Sequence, residues 1–149
     1  MTPPWKKFEQ WVADDLGLQL TRGSGNQWYD KGDAAGRGLL VEVKFSDSKM
    51  PYGKRSMRLE RAWLDKVGAE AGGRIPFVVL GLGNRYSVYV LAAAGTVVAL
   101  TDQGPPVSAM PPGRTFQFHE GMLRGKLWIQ TPVGIVADYA WFRNLIGDC

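Results

Sequence analysis

Cysteine is nearly absent from this chain: of 149 residues only Cys149, the last, carries a thiol, and His119 is the only histidine. A lone cysteine allows no internal disulfide and excludes a cysteine-ligated metal. His119, with no second histidine or nearby cysteine, offers no acid–base pair and reads as an ordinary strand or loop residue. No run approaches eighteen uninterrupted apolar residues, and the opening Met-Thr-Pro-Pro-Trp-Lys-Lys has no apolar segment of the kind found in secretion signals. These absences lead us to expect a soluble, intracellular, cytoplasmic protein with no membrane partner. Acidic residues are also in deficit, 14 against 18 Lys and Arg, and the net charge of +4 suits an anionic partner without identifying one.

What is present is enough chain for one domain with a real core. Thr2 before Pro3 and Pro4 predicts a helix capped by Thr2 and stopped at Gly17. Trp5, Phe8, Val12 and Leu16 share one arc of that helix, and Glu9 falls beside it, where an acid needs a partner, a metal or a route to water. Leu18 to Arg22 predicts a short strand, Gly23-Ser24-Gly25-Asn26 a turn, and Gln27 to Gly32 leads into Asp33.

Further on, Ser56 reads as the cap of a second helix running to about Ala71 and ended by Gly72-Gly73. Trp63, Leu64, Val67 and Glu60 would lie on its buried side, with Arg58, Arg61 and Asp65 facing away. Ile75 to Leu82 predicts a buried strand, and Tyr86 to Leu91 its hairpin partner. The order is helix, strand, strand, strand, helix, strand (α-β-β-β-α-β), an α/β or α+β core with a central mixed β-sheet flanked by helices. Beyond Ala92 the sequence predicts a strand near Val97 to Leu100, a proline-punctuated loop, extended segments at Thr115 to Phe118 and Leu127 to Val136, and a short helix from Ala137 to Ile146. Residues 1–91 thus form a core and 92–149 a β-rich C-terminal extension packed on it, a single domain overall.

The most informative segment is Leu39 to Phe45, Leu-Leu-Val-Glu-Val-Lys-Phe. On a strand, Glu42 and Lys44 share one face while Val41, Val43 and Phe45 fill the other, and an unpaired charge in such a place is costly. A bare Glu-x-Lys arises by chance in about one chain in two of this length, so the apolar flanks carry the signal. Asp33 precedes a short turn at Gly36 to Gly38, and a hairpin there would bring it beside Glu42. An aspartate with Glu-x-Lys on an apolar strand is a way to build a divalent-metal site for phosphodiester cleavage. The alternative is a surface strand with an ion pair on its wet face. The following stretch, Ser46 to Arg61, is the most basic of the chain; Lys49, Lys54, Arg55, Arg58 and Arg61 either grip phosphates or form a solvated face. Gly23-Ser24-Gly25-Asn26 and Gly81-Leu82-Gly83-Asn84 continue to no nucleotide-binding fingerprint.

Glu9, the Gly23-Ser24-Gly25 turn, Asp33 and Glu42-Val43-Lys44 together resemble the PD-(D/E)xK nuclease superfamily, and most closely the archaeal and phage-type Holliday junction resolvases, over roughly Phe8 to Leu82. Gly32 stands in the place of the nominal proline, and Asp30 lies close enough to replace Asp33 as a ligand. The resemblance implies a restriction-endonuclease-like core. It also implies Mg²⁺ or Mn²⁺ bound by Glu9, Asp33, Glu42 and the Val43 carbonyl, with Lys44 orienting the attacking water or balancing developing charge. Ser24 and the basic residues would contact DNA, and a resolvase acting on branched DNA would be a homodimer. The superfamily also holds restriction and repair nucleases. A DNA-binding protein that keeps the fold without cutting is the other expectation, separated from the first by Mg²⁺-dependent nicking.

Overall fold

The computed structural model describes residues 2–20, 34–83, 87–101 and 111–147. Helix α1 (Pro4–Leu16) begins with Pro3 as its N-cap, and no side chain caps it, so Thr2 does not take the role its position suggested. Proline in the first turn costs no intrahelical hydrogen bond there, and Gly17 ends the helix at φ 69° with its N–H on the Ala13 and Asp14 carbonyls. Phe8, Glu9, Val12, Ala13 and Leu16 are buried, whereas Trp5 in the first turn stays 50% exposed.

Strands β1 (Gln19–Leu20), β2 (Ala34–Gly36) and β3 (Leu39–Ser46) run antiparallel in succession. The β2–β3 turn holds Arg37 and Gly38 at φ 52° and 74°, both positive as a two-residue hairpin turn requires. The hairpin register opposes Ala34 to Val41. Asp33, Asp30 and the Gly23-Ser24-Gly25 turn lie outside the described residues.

After β3 the chain departs from the expected helix. Ser56–Glu60 is a strand, β4, and helix α2 begins only at Arg61 and runs to Glu70. Met57 and Leu59 are buried with Arg58 exposed between them, a period of two, and β4 pairs antiparallel with β7 (Thr115–His119) far along the chain. Ser56 is buried in this pairing and caps nothing, while Glu60 ends the strand as the N-cap residue of α2. Parallel to β3 lies β5 (Ile75–Leu82), reached through α2, and β6 (Ser87–Ala92) returns antiparallel to it.

Val97 to Leu100, expected as a strand, belongs instead to helix α3 (Ala94–Leu100). Its β-branched residues favour extension, but only Val97 is buried, and a helix of about two turns seats it in the core. The extended Leu127 to Val136 segment is a hairpin: β8 (Trp128–Gln130) and β9 (Ile135–Asp138) flank a turn in which Thr131 Oγ1 donates to the Gly134 carbonyl and accepts from the Val133 and Gly134 amides. Asp138 then caps α4 (Tyr139–Ile146) by accepting from the Trp141 amide.

The main sheet has the order β1-β2-β3-β5-β6-β9-β8, with one parallel pair, β3–β5, and every other neighbour antiparallel. One face packs on α1, α3 and α4 through Phe8, Val12, Val97, Phe142 and Ile146. The other packs on α2 and the β4–β7 ribbon through Val67, Met57, Leu59 and Phe118. The protein is therefore mixed α/β, a mixed central sheet with helices on both sides. Among the described residues no helix is long and apolar enough to cross a membrane.

Candidate functional site

Strand β3 is hydrogen-bonded on both edges and covered on both faces, so a polar side chain on it is withdrawn from water. Strand alternation sends Val41, Val43 and Phe45 toward α1, and Leu40, Glu42 and Lys44 toward α2. Glu42 is 5% exposed. A carboxylate buried this far needs compensating charge, and two ammonium groups supply it: Lys44 Nζ lies 3.5 Å and Lys66 Nζ 3.7 Å from Glu42 Oε1. Lys44 Nζ also sits 5.1 Å from the centre of the Trp63 ring, within cation–π range. At an effective dielectric near 20 each pair carries about 4–5 kcal/mol of gross attraction, opposed by the desolvation of Glu42. The Lys66 pair keeps less of it, because its outer end is in water.

Trp63 and Lys66 reach this point because the parallel β3–β5 crossover lays α2 across β3. Lys66 was not among the residues the sequence singled out. Its signal was its place one helical turn after Trp63 and next to Val67, which becomes readable once α2 is known to cover the Glu42 face.

Glu9 is also buried, 5% exposed, on the side of α1 that faces the protein. Helix α1, however, covers the Val41 and Val43 face of β3, whereas Glu42 points to the α2 layer. Val43, between the two charged residues, packs toward α1. Among the described residues no three His, Cys, Asp or Glu side chains come together to hold a metal ion. A groove of about 730 Å³ runs beside α1 past Lys7, Trp11 and Leu20 and includes no residue of β3.

The basic residues divide in two. Lys49, Lys54 and Arg58 are exposed, Arg58 within 4.0 Å of Glu60. Arg55 is paired with Asp47, and its amide donates to Glu120 Oε1. Arg61 is committed to the fold: its guanidinium donates to the carbonyls of Gly113 at 3.1 Å and Pro132 at 2.6 Å. Ser24 lies outside the described residues. His119 serves its own turn, Nδ1 accepting from the Gly121 amide, with Tyr52 edge-on to its ring. Tyr89 has its phenol pushed above the ordinary range, first by burial and then by the charges of Glu120 and Asp138.

No protein-family model matches the chain, and no curated protein matches its sequence.

Proposed function

We propose that this protein is a Mg²⁺-dependent DNA endonuclease with a restriction-endonuclease-like core, acting inside the cell on branched DNA as a homodimer. The observation that carries the reading is Glu42: a buried carboxylate on an interior strand of a mixed sheet, with Lys44 beside it on the same face. A strand core tolerates such a charge only with compensation, and a structural role would be filled more cheaply by an apolar residue. The element order supports it as well, since α1, the β2–β3 hairpin, α2 and β5 come in this order, with β4 inserted before α2, and the two helices lie on opposite faces.

The donor chemistry fits a hard divalent cation. Glu42, Asp33 and the Val43 carbonyl would supply only oxygen, a bound cation would displace the two ammonium groups from the Glu42 oxygen, and Glu9, on the α1 side of β3, would join only from the other face. Asp33 directly precedes Ala34, which is opposed to Val41, the neighbour of Glu42. When bound, the ion would neutralise phosphate oxygens and acidify a coordinated water. Lys44 would set a fixed positive charge beside the phosphate, where negative charge grows in the transition state. Lys49, Lys54 and Arg58 would hold the flanking backbone.

The same site favours one second reading, a DNA-binding protein that no longer cuts, because Glu42 is neutralised without a metal. Four-way, flap, linear and single-stranded DNA, each incubated with Mg²⁺ or with EDTA, separates the two. Cleavage of branched DNA that needs Mg²⁺ is expected, with Glu42→Ala and Lys44→Ala each losing at least about 100-fold in rate while DNA affinity stays within a few-fold. Undiminished cutting by purified Glu42→Ala would end the nuclease proposal, and binding without cutting by the wild type would leave the second reading.

A further inference from the structure

One ammonium is enough to neutralise one carboxylate, yet two sit on the same oxygen of Glu42, Lys44 at 3.5 Å and Lys66 at 3.7 Å. Their like charges repel, so the pair is kept at a cost. The two lysines are not held alike. Lys44 leaves the strand beside Glu42, is 33% exposed, and has its ammonium over the Trp63 ring. Lys66 comes from α2, one helical turn after Trp63, and its side chain is 51% exposed. The three side chains sum to a formal +1, and Lys66 is the arm that reaches farther into solvent.

We propose that Lys66 is a second phosphate-binding lysine of this site, resting on Glu42 in the free protein and transferring to a backbone phosphate when DNA arrives. The inference rests on the nuclease reading for its substrate. It goes beyond that reading by assigning α2 a direct DNA contact within reach of Glu42, and by giving Glu42 a second effect: the carboxylate competes with phosphate for the Lys66 ammonium.

That competition can be read without any cleavage. DNA affinity is measured in EDTA on a four-way junction and on duplex DNA, across a salt series, for the wild type, Glu42→Gln, Lys66→Gln, Lys66→Arg and Glu42→Gln/Lys66→Gln. Lys66 is exposed, so its variants are expected to fold, and thermal melts confirm that. Removing the carboxylate charge is expected to tighten binding several-fold. In the double variant the gain attributable to Lys66 disappears, and the slope of log affinity against log salt falls by about 0.9, one phosphate contact. Lys66→Arg should keep the slope. Equal affinity and equal slope for Glu42→Gln and the double variant would overturn the inference. If the wild type cuts with Mg²⁺ while the double variant matches Glu42→Gln, only Lys66 is misassigned. If the Lys66 effect is present but the wild type never cuts, the nuclease reading fails and the phosphate contact stands. A wild type that neither binds nor cuts DNA overturns both.

Discussion

Gly81 is a residue whose side chain matters by being missing. It lies in β5, and a Cβ there would stand 2.5 Å from Phe8 Cζ, with the rest of the ring edge hardly farther. Phe8 is fully buried under this strand, so its ring can retreat only by disturbing its neighbours, among them Trp11 and Phe45 at ring distances of 5.9 and 5.8 Å. Gly81→Ala is therefore expected to cost about 1–3 kcal/mol by overpacking. Urea unfolding measures this, and Phe8→Leu in the same chain should recover part of the loss, because the two sites are in contact. A variant within about 0.5 kcal/mol of the wild type would show that Phe8 moves freely. At this scale the sequence is a good guide wherever a residue's setting depends only on its own strand. Glu42 and Lys44 share a face because alternation is a property of any strand, and Glu9 is buried because it flanks the apolar arc of α1. Lys66 depends on the placement of a helix over a strand, and nothing local announces that.

Between elements, α1, the β2–β3 turn and α4 are tied by a small number of polar contacts. Arg37, held at a positive φ in the turn, donates to the Leu16 carbonyl at the end of α1 and to the Gly147 carbonyl at the end of α4. Across the same junction Asp15 of α1 accepts from the Tyr139 hydroxyl at 2.6 Å and from Arg143 Nε at 2.8 Å, both of α4. Burial, then the hydrogen bond and the charge of Asp15, raise the Tyr139 phenol above its ordinary range, and Arg143 pulls the other way. A group whose proton is held more tightly in the folded state adds stability that is present below its unfolded pKa, about 10, and is lost as pH rises beyond it. Tyr139→Phe is accordingly expected to lower stability by about 1–2 kcal/mol near neutral pH and to flatten the decline above pH 10. Tyr89, raised in the same direction, keeps part of that decline in the variant. Parallel curves of unfolding free energy against pH, from 7 to 11, would show that Tyr139 is not the group responsible. Elements were readable where their signals are local: Gly17 stops α1, and Gly36 to Gly38 makes the hairpin. They were misread where a distant partner decides. Ser56–Glu60 has a capping serine and apolar residues that suit a helix, but it pairs with Thr115–His119, and that partner is invisible to any short window of sequence.

For the molecule as a whole, the decisive fact is where residues after Ala92 go. They enter both sheets: β9 pairs with β6 and carries β8 beyond it, and β7 pairs with β4. Arg61 then locks α2 to this part of the chain through the Gly113 and Pro132 carbonyls. Each face of the main sheet depends on late residues, Ile135, Phe142 and Ile146 on one side and Phe118, Val133 and Val136 on the other. A fragment ending at Ala93 would keep Glu42, Lys44 and Lys66 but leave β4 without a partner, β6 as an open edge, and both apolar faces partly bare. Those six side chains represent on the order of 10 kcal/mol of burial at about 1.5–3 kcal/mol each, as much as the whole stability of an ordinary domain. The fragment is expected to show no cooperative thermal transition and to bind a hydrophobic dye, while the full chain melts in one step. A sigmoidal melt from residues 1–93 alone would mean that the Glu42 site stands on a self-sufficient core. The single step expected of the full chain means instead that the acid, its two lysines and the late strands fold as one unit, so mutations in β7 or β9 should destabilise the Glu42 site without touching it.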